Sequence, residues 1–154
     1  MTKPILYRHF ESKRDLYLAL LARHRDDLGS FVAVIPAEGA MEERLRVLLD
    51  VWFSYVETHS YAWRMLFRDN GGGPEIQVFR LEVHARARAV LVELIQSMGE
   101  TPIPRREREP LAEMMSMGMA ALVLWWMDEP QVSRPAIVDA MTRAWTGLLK
   151  ATPG

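Results

Sequence analysis

The chain has 154 residues, of which 49% are hydrophobic and 25% charged, and its net charge is −1. That length can bury a sizeable core, and the balance is that of a globular chain and not of a disordered one. The absence of cysteine excludes a disulfide framework, a thiolate metal site and a cysteine nucleophile. No apolar run reaches the roughly 20 residues that a membrane span needs, and the charged N-terminus lacks a secretory core segment. The expectation is therefore a cytoplasmic protein with no membrane partner.

Charge is unevenly placed along the chain. Residues 1–25 carry Lys3, Arg8, Lys13, Arg14, Arg23 and Arg25 against Glu11 and Asp15, a local charge of +4, and the rest of the chain carries −5. A short basic head on an acidic body suits a protein whose front end meets phosphates; a solvated basic helix face gives the same count.

The apolar periodicity predicts helices almost throughout, in seven segments. Thr2 is placed to cap a short helix over 3–9, with Pro4 in its first turn. Ser12 opens the next helix, with Asp15 three residues on in the spacing of a capping box. The run 30–35 is the one β-like stretch, and Pro36 and Gly39 close it. Residues 37–40 read as a linker. A strongly amphipathic helix over 41–57 follows, with Leu45, Leu48, Leu49, Trp52, Phe53 and Val56 on one face. A shorter helix covers 61–68, and Gly71-Gly72-Gly73-Pro74 breaks it. A long helix covers 75–98, ended by Gly99, and Pro102 and Pro104 separate it from a helix over 105–127. Pro110 falls in the first turns of that helix or marks its start. Ser133 caps the last helix, to about 151, with Pro135 in its first turn. The expected fold class is all-α, a helical bundle without internal repeat.

The most informative stretch is Thr2-Lys3-Pro4-Ile5-Leu6-Tyr7-Arg8-His9-Phe10-Glu11-Ser12-Lys13-Arg14-Asp15-Leu16. It resembles the signature of the TetR family of transcriptional regulators: a short recognition helix with Leu-Tyr-x-His-Phe, then x-Ser-Lys opening the next helix. Leu6, Tyr7, His9, Phe10, Ser12, Lys13 and Leu16 stand in the family register. The resemblance implies that the helix presents its first turn to base edges and its flanks to phosphates. Thr2, Lys3, Pro4 and Ile5 occupy that first turn, with Lys3 suited to a guanine edge or a phosphate and Ile5 to a thymine methyl. Tyr7 and His9 match phosphate-contacting positions. Lys13, at the start of the following helix, can hold a phosphate together with free backbone N–H groups. Leu6, Phe10 and Leu16 are expected to pack.

In the family the DNA-binding unit has three helices, so the first and nearly all of the second are expected upstream of Met1. Met1 stands where the family pattern places valine, immediately before Thr2. With 16 Arg against 3 Lys, the composition fits a GC-rich genome in which a valine codon serves as a start. The domain division expected is 1–36, a remnant of the TetR-type DNA-binding domain forming a partial helix-turn-helix head, and 37–154, a helical effector-binding and dimerisation domain. Without the upstream helices, Leu6, Phe10, Leu16 and Leu20 are expected to expose apolar surface or to refold against the body, and the chain as given to bind operator DNA poorly.

For the body the resemblance implies an effector pocket and a dimer formed by the last two helices. The dimer stripe expected is Met114, Gly118, Ala121 and Trp125, with Ile137, Met141, Trp145 and Leu148 from the final helix; its small residues allow close helix approach. The same stripes also suit a monomer core. With 10 Met and 5 Trp, the chain is rich in side chains that adapt to irregular cavities. Trp52, Tyr55, Trp63, Phe67, Phe79, Met115 and Met119 are the pocket candidates, and His84, Arg86 and Arg88 the candidate polar anchors. The implied function is a ligand-responsive repressor that binds operator DNA as a homodimer and is released by a hydrophobic or aromatic small molecule.

No cofactor is expected. His9, His24, His59 and His84 lack metal-ligand spacing, and Gly71-Gly72-Gly73-Pro74 lacks the Lys-Ser/Thr of a phosphate loop. With no nucleophile elbow either, an enzyme is not expected. The alternative is a headless helical effector-binding or interaction protein that does not bind DNA.

Overall fold

The computed structural model describes residues 11–68, 73–98 and 102–151, apart from the side chains of Leu28, Ala62, Met65, Leu66 and Phe67. The expected helix over 3–9, and with it Thr2, Lys3, Pro4, Ile5, Tyr7 and His9, lies outside the described residues. Within them the fold is all-α. Six α-helices run in the order α1 (Lys13–Phe31), α2 (Met41–Thr58), α3 (Ser60–Phe67), α4 (Pro74–Met98), α5 (Arg105–Trp126) and α6 (Arg134–Ala151), with one 3₁₀ turn (Val32–Val34) after α1.

Local chemistry sets most boundaries. Ser12 caps α1: its Oγ accepts from the Asp15 backbone N–H at 3.1 Å and donates to Asp15 Oδ2 at 2.9 Å, satisfying one orphan donor of the first turn. The β-like run at 30–35 is not extended. The helix continues to Phe31, whose ring packs edge-on against Trp52 and Tyr55 with centroids 5.7 and 5.1 Å away, and the chain then tightens into the 3₁₀ turn. Gly39 adopts φ +116° just before α2, a conformation that costs a side-chain-bearing residue 1–2 kcal/mol on the order of magnitude. No side chain caps the start of α2; Glu42 and Glu43 in its first turn complement the helix dipole instead. Pro110 stands inside α5, beyond its first turn, because the helix starts at Arg105. At the other end of α5, Arg64 Nη2 donates to the Met127 carbonyl and Arg68 Nη2 to the Leu124 carbonyl, both at 2.9 Å. Two cations, Arg64 in α3 and Arg68 just after it, thus satisfy C-terminal carbonyls that the helix leaves open.

Two apolar clusters hold the helices together. The larger joins α2, α3, α5, α6 and the C-terminal half of α4, with Leu45, Leu49, Phe53, Ala112, Val123 and Ile137 among its buried members. The smaller joins α1 to the N-terminal half of α4 through Leu16, Tyr17, Leu21, Phe31, Ile76 and Val83. Leu16 is therefore not left exposed: α4 supplies the apolar face that covers it, with Leu20 partly buried beside it. Trp52 and Tyr55 pack against both clusters, so α2 is where α1 and the rest of the bundle meet.

One buried cation ties the connections. Arg44 Nε donates to the Pro36 carbonyl at 2.8 Å, and its Nη1 donates to the Ser97 carbonyl at 2.7 Å. A guanidinium is placed at the C-terminal end of α4, where the helix dipole favours positive charge, and the linker before α2 is pinned to the same point.

Candidate functional site

Between α1, α2, α4, α5 and α6 lies a small apolar cavity of about 90 Å³. Helix α2 contributes Leu48, Leu49 and Trp52 to its wall, and α4 contributes Ala87 and Leu91. Phe31 closes it from α1, Ser116 and Met119 from α5, and Trp145 from α6. Of the pocket residues expected from sequence, Trp52 and Met119 line this cavity.

Four other candidates, Tyr55, Trp63, Phe79 and Met115, lie elsewhere. Tyr55 and Trp63 stand behind Trp52 in an aromatic cluster built around His24: the His24 ring lies 4.5 Å from Trp63, edge to face, and Trp52 lies 5.3 Å from Trp63. Phe79 packs against the α1–α4 cluster with the Arg25 guanidinium 5.4 Å from its ring. Met115 lines a separate groove between α5 and α6. The Phe67 side chain is among those not described.

Polar groups behind the cavity connect α1 to α2. The Tyr55 hydroxyl donates to Asp27 Oδ2 at 2.8 Å, and His59 Nδ1 lies 2.8 Å from the Tyr55 carbonyl oxygen. Burial, with the hydrogen bond to Asp27 added, pushes the Tyr55 hydroxyl well above its ordinary pKa. Burial also lowers His24 to about 4, against the opposing pull of Asp27 and with a small push from His59. His24 is thus held neutral among aromatic rings.

On the far side, α4 and α5 share a hydrogen-bonded string. Ser116 Oγ lies 3.3 Å from His84 Nδ1, His84 Nε2 lies 3.1 Å from Glu113 Oε1, and Arg88 Nη1 lies 3.5 Å from Glu113 Oε2. The hydrogen bond to His84, with Arg88 nearby, holds the Glu113 carboxyl below the usual carboxylate range. Of the three polar anchors expected from sequence, His84 reaches the cavity wall through Ser116, Arg88 meets Glu113, and Arg86 is exposed. The Ser–His–Glu composition has the members of a hydrolytic triad. Ser116, however, stands mid-helix, where the neighbouring N–H groups are committed to carbonyls four residues back and cannot form an oxyanion hole.

Sequence reading missed Ser116, Ala87, Leu91, Phe31, Leu48 and Leu49 as wall residues. Ser116 carried the one usable signal, a hydroxyl inside the apolar run Met114-Met115-Ser116-Met117. Nothing in the periodicity separates the others from ordinary core.

The residues expected at a dimer seam divide in two. Met114, Gly118, Ala121 and Trp125 are exposed along α5, and Met141 and Leu148 are partly buried on α6. Ile137 and Trp145 face inward and are buried in the chain's own core. Between the two helices runs an open groove of about 380 Å³, walled by Met114, Gly118 and Leu122 on one side and Met141, Ala144 and Leu148 on the other. Of the expected DNA-contacting residues only Lys13 is described. It is the first residue of α1, and its Nζ lies 5.6 Å from the Tyr17 ring centre.

Known proteins resemble the chain along nearly its whole length. The HTH-type transcriptional activator FasR of Mycolicibacterium smegmatis is 30% identical over 96% of the chain and 68% of FasR. Two uncharacterized HTH-type transcriptional regulators from two strains of Mycobacterium tuberculosis are each 24% identical over 96% of the chain. The chain spans 64% of the length of those two relatives. No family model matches it. The helical bundle and this extended similarity lead to one conclusion: the chain belongs to the HTH-type transcriptional regulators.

Proposed function

We infer that the chain is a TetR-like regulator that binds operator DNA as a homodimer and whose affinity for DNA is set by a small apolar molecule held in the cavity. The observation that carries this reading is the position of Trp52. It lines the cavity and packs against both apolar clusters, so a molecule seated there presses on the contact between α1 and the bundle. Helix α1 follows directly on the stretch 2–10 that resembles a recognition helix. A shift of α1 then changes the spacing of two heads across a dimer, and a pair of half-sites about one helical turn, roughly 34 Å, apart is no longer matched. The division proposed is a head over 1–36 and an effector-binding, dimerising body over 37–154, although α1 shares its core with α4 of that body.

The dimer is proposed along α5 and α6. Met114 is 54% exposed and Trp125 49% exposed, and flexible and aromatic side chains flanking a groove are what a subunit interface uses at its core. Ile137 is left out of this interface, since the chain's own core takes it, while Trp145, though buried, lines the groove and stays with the interface. Repression is the sign proposed by the TetR resemblance. FasR is by name an activator, and ligand-controlled release serves either sign according to where the operator lies relative to the promoter.

The test uses the gene at its own chromosomal locus with a C-terminal tag. Chromatin immunoprecipitation is expected to enrich a few sites containing inverted repeats, and purified protein to lose those sites when an apolar effector is added. Enrichment no greater than in an untagged strain would overturn the DNA-binding part of the reading. A protein that binds such sites but scatters light as a monomer would overturn the dimer.

A further inference from the structure

The cavity wall holds one hydroxyl among its described residues, that of Ser116, and that hydroxyl is oriented in an unusual way. Buried helical hydroxyls commonly bond back to a carbonyl of the preceding turn. Buried Thr142 does so with the Val138 carbonyl at 2.7 Å. Ser116, only 8% exposed, turns instead to the His84 ring of α4, 3.3 Å away.

The direction of that bond follows from its neighbours. Glu113 is an ionised carboxylate and can only accept, so the hydrogen of His84 sits on Nε2, 3.1 Å from Glu113 Oε1. In the neutral imidazole this leaves Nδ1 as an acceptor, and the Ser116 hydroxyl donates to it. The lone pairs of Ser116 Oγ then remain for whatever occupies the cavity. From α2, Trp52 lines the same cavity, and its Nε1 is buried with no acceptor. A buried indole N–H is ordinarily paired. Both residues line the cavity, so the residues of its otherwise apolar wall carry one hydroxyl oxygen and one unpaired indole N–H.

A hydroxyl group both donates and accepts, and it is the smallest group that answers this pair. With a volume of about 90 Å³, below the roughly 150 Å³ of a dry cavity that takes benzene, there is space for a body no larger than one ring once Met119 yields slightly. We propose that the cavity binds a compact alcohol or phenol, whose apolar body lies between Leu48, Leu91 and Met119 and whose hydroxyl donates to Ser116 Oγ and accepts from Trp52 Nε1. Ser116 is the specificity-determining residue, and His84 with Glu113 positions it. The inference rests on the reading of this cavity as the effector pocket.

The probes are p-cresol and toluene, which differ by that one hydroxyl. Binding is followed by titration calorimetry and by the indole ¹H–¹⁵N signals, with the Trp52 signal assigned from its loss in Trp52→Phe. The wild-type protein is expected to bind p-cresol at least tenfold more tightly than toluene, with the Trp52 signal moving downfield for p-cresol alone. Ser116→Ala is expected to bring the two affinities within about threefold while leaving toluene affinity unchanged. Should Ser116→Ala fold poorly, His84→Phe, which removes the acceptor of the serine hydrogen, is expected to weaken p-cresol selectively. Equal binding of the two probes to the wild type, or a preference that survives Ser116→Ala, overturns the hydroxyl proposal and leaves the pocket standing. Failure of both probes to bind overturns the pocket reading itself.

Discussion

The Tyr55 hydroxyl donates to Asp27 Oδ2 at 2.8 Å and so joins α2 to α1 beside the cavity. A hydrogen bond to a carboxylate in a half-buried setting contributes about 1.5–3 kcal/mol. Tyr55→Phe is expected to lower the urea midpoint by an amount equivalent to about 2 kcal/mol with an unchanged slope. A double-mutant cycle with Asp27→Asn is expected to return a coupling of about 1 kcal/mol or more. Additive single effects would mean that the pair does not join the two helices energetically.

His24 makes the stability pH-dependent. Its pKa falls from the ordinary 6.5 to about 4 in the folded chain, chiefly through burial. Between those values the unfolded chain holds a proton that the folded chain does not, so stability declines as pH is lowered through the window. Integrated over it, the loss is about 3 kcal/mol, and about 2 kcal/mol of that falls between pH 6.5 and 5. Unfolding free energies measured at pH 7 and 5 are expected to show that decline in the wild type. His24→Phe, which keeps a ring in the aromatic cluster, is expected to remove most of it. A wild-type protein equally stable at both pH values would contradict the assignment.

Arg44 is expected to matter more for stability than any exposed cation. Its truncation to alanine leaves the Pro36 and Ser97 carbonyls without their donors at 2.8 and 2.7 Å and opens space at the end of α4. The expected cost is about 3 kcal/mol. Arg46, whose guanidinium pairs with Asp139 on an exposed face, serves as the control, with an expected change under about 1 kcal/mol. Equal melting-temperature shifts for the two alanine variants would refute the distinction.

The proposed subunit contact can be tested on α5. A charge placed at an exposed interface position prevents burial without disturbing the monomer core. Trp125→Glu and Met114→Glu are each expected to halve the mass seen by light scattering at micromolar concentration while the far-ultraviolet circular dichroism keeps its helical intensity. Leu81→Glu, on an exposed part of α4 where Leu81 is 66% exposed, is expected to leave the mass unchanged. A mass insensitive to the α5 variants would place any dimer on another face.

Helix content and boundaries were largely readable from the chain because they depend on neighbours in sequence. The Ser12 cap with Asp15, the break at Gly39, the start of α4 at Pro74 and the Ser133 cap all act within three or four residues, as does the apolar face of 41–57. Likeness to a DNA-recognition segment was readable for the same reason: the motif over 2–16 is contiguous. The run 30–35 was less legible, since the fate of Phe31 turns on rings from Trp52 and Tyr55 about twenty residues away. Placement of the pocket was poorly legible. Trp52, Trp63 and Tyr55 are equally aromatic in the sequence, yet only Trp52 lines the cavity, because which side of a side chain meets empty space depends on how five helices cross. Trp145, expected at the seam, is buried and lines both the cavity and the α5–α6 groove, and Ser116, which no expectation singled out, carries the one hydroxyl among the described wall residues. Its direction toward His84 depends on the packing of α4 against α5. Local periodicity thus determined which helices form and which faces are apolar. Tertiary packing alone decided which of those faces close on each other and which leave space for a ligand.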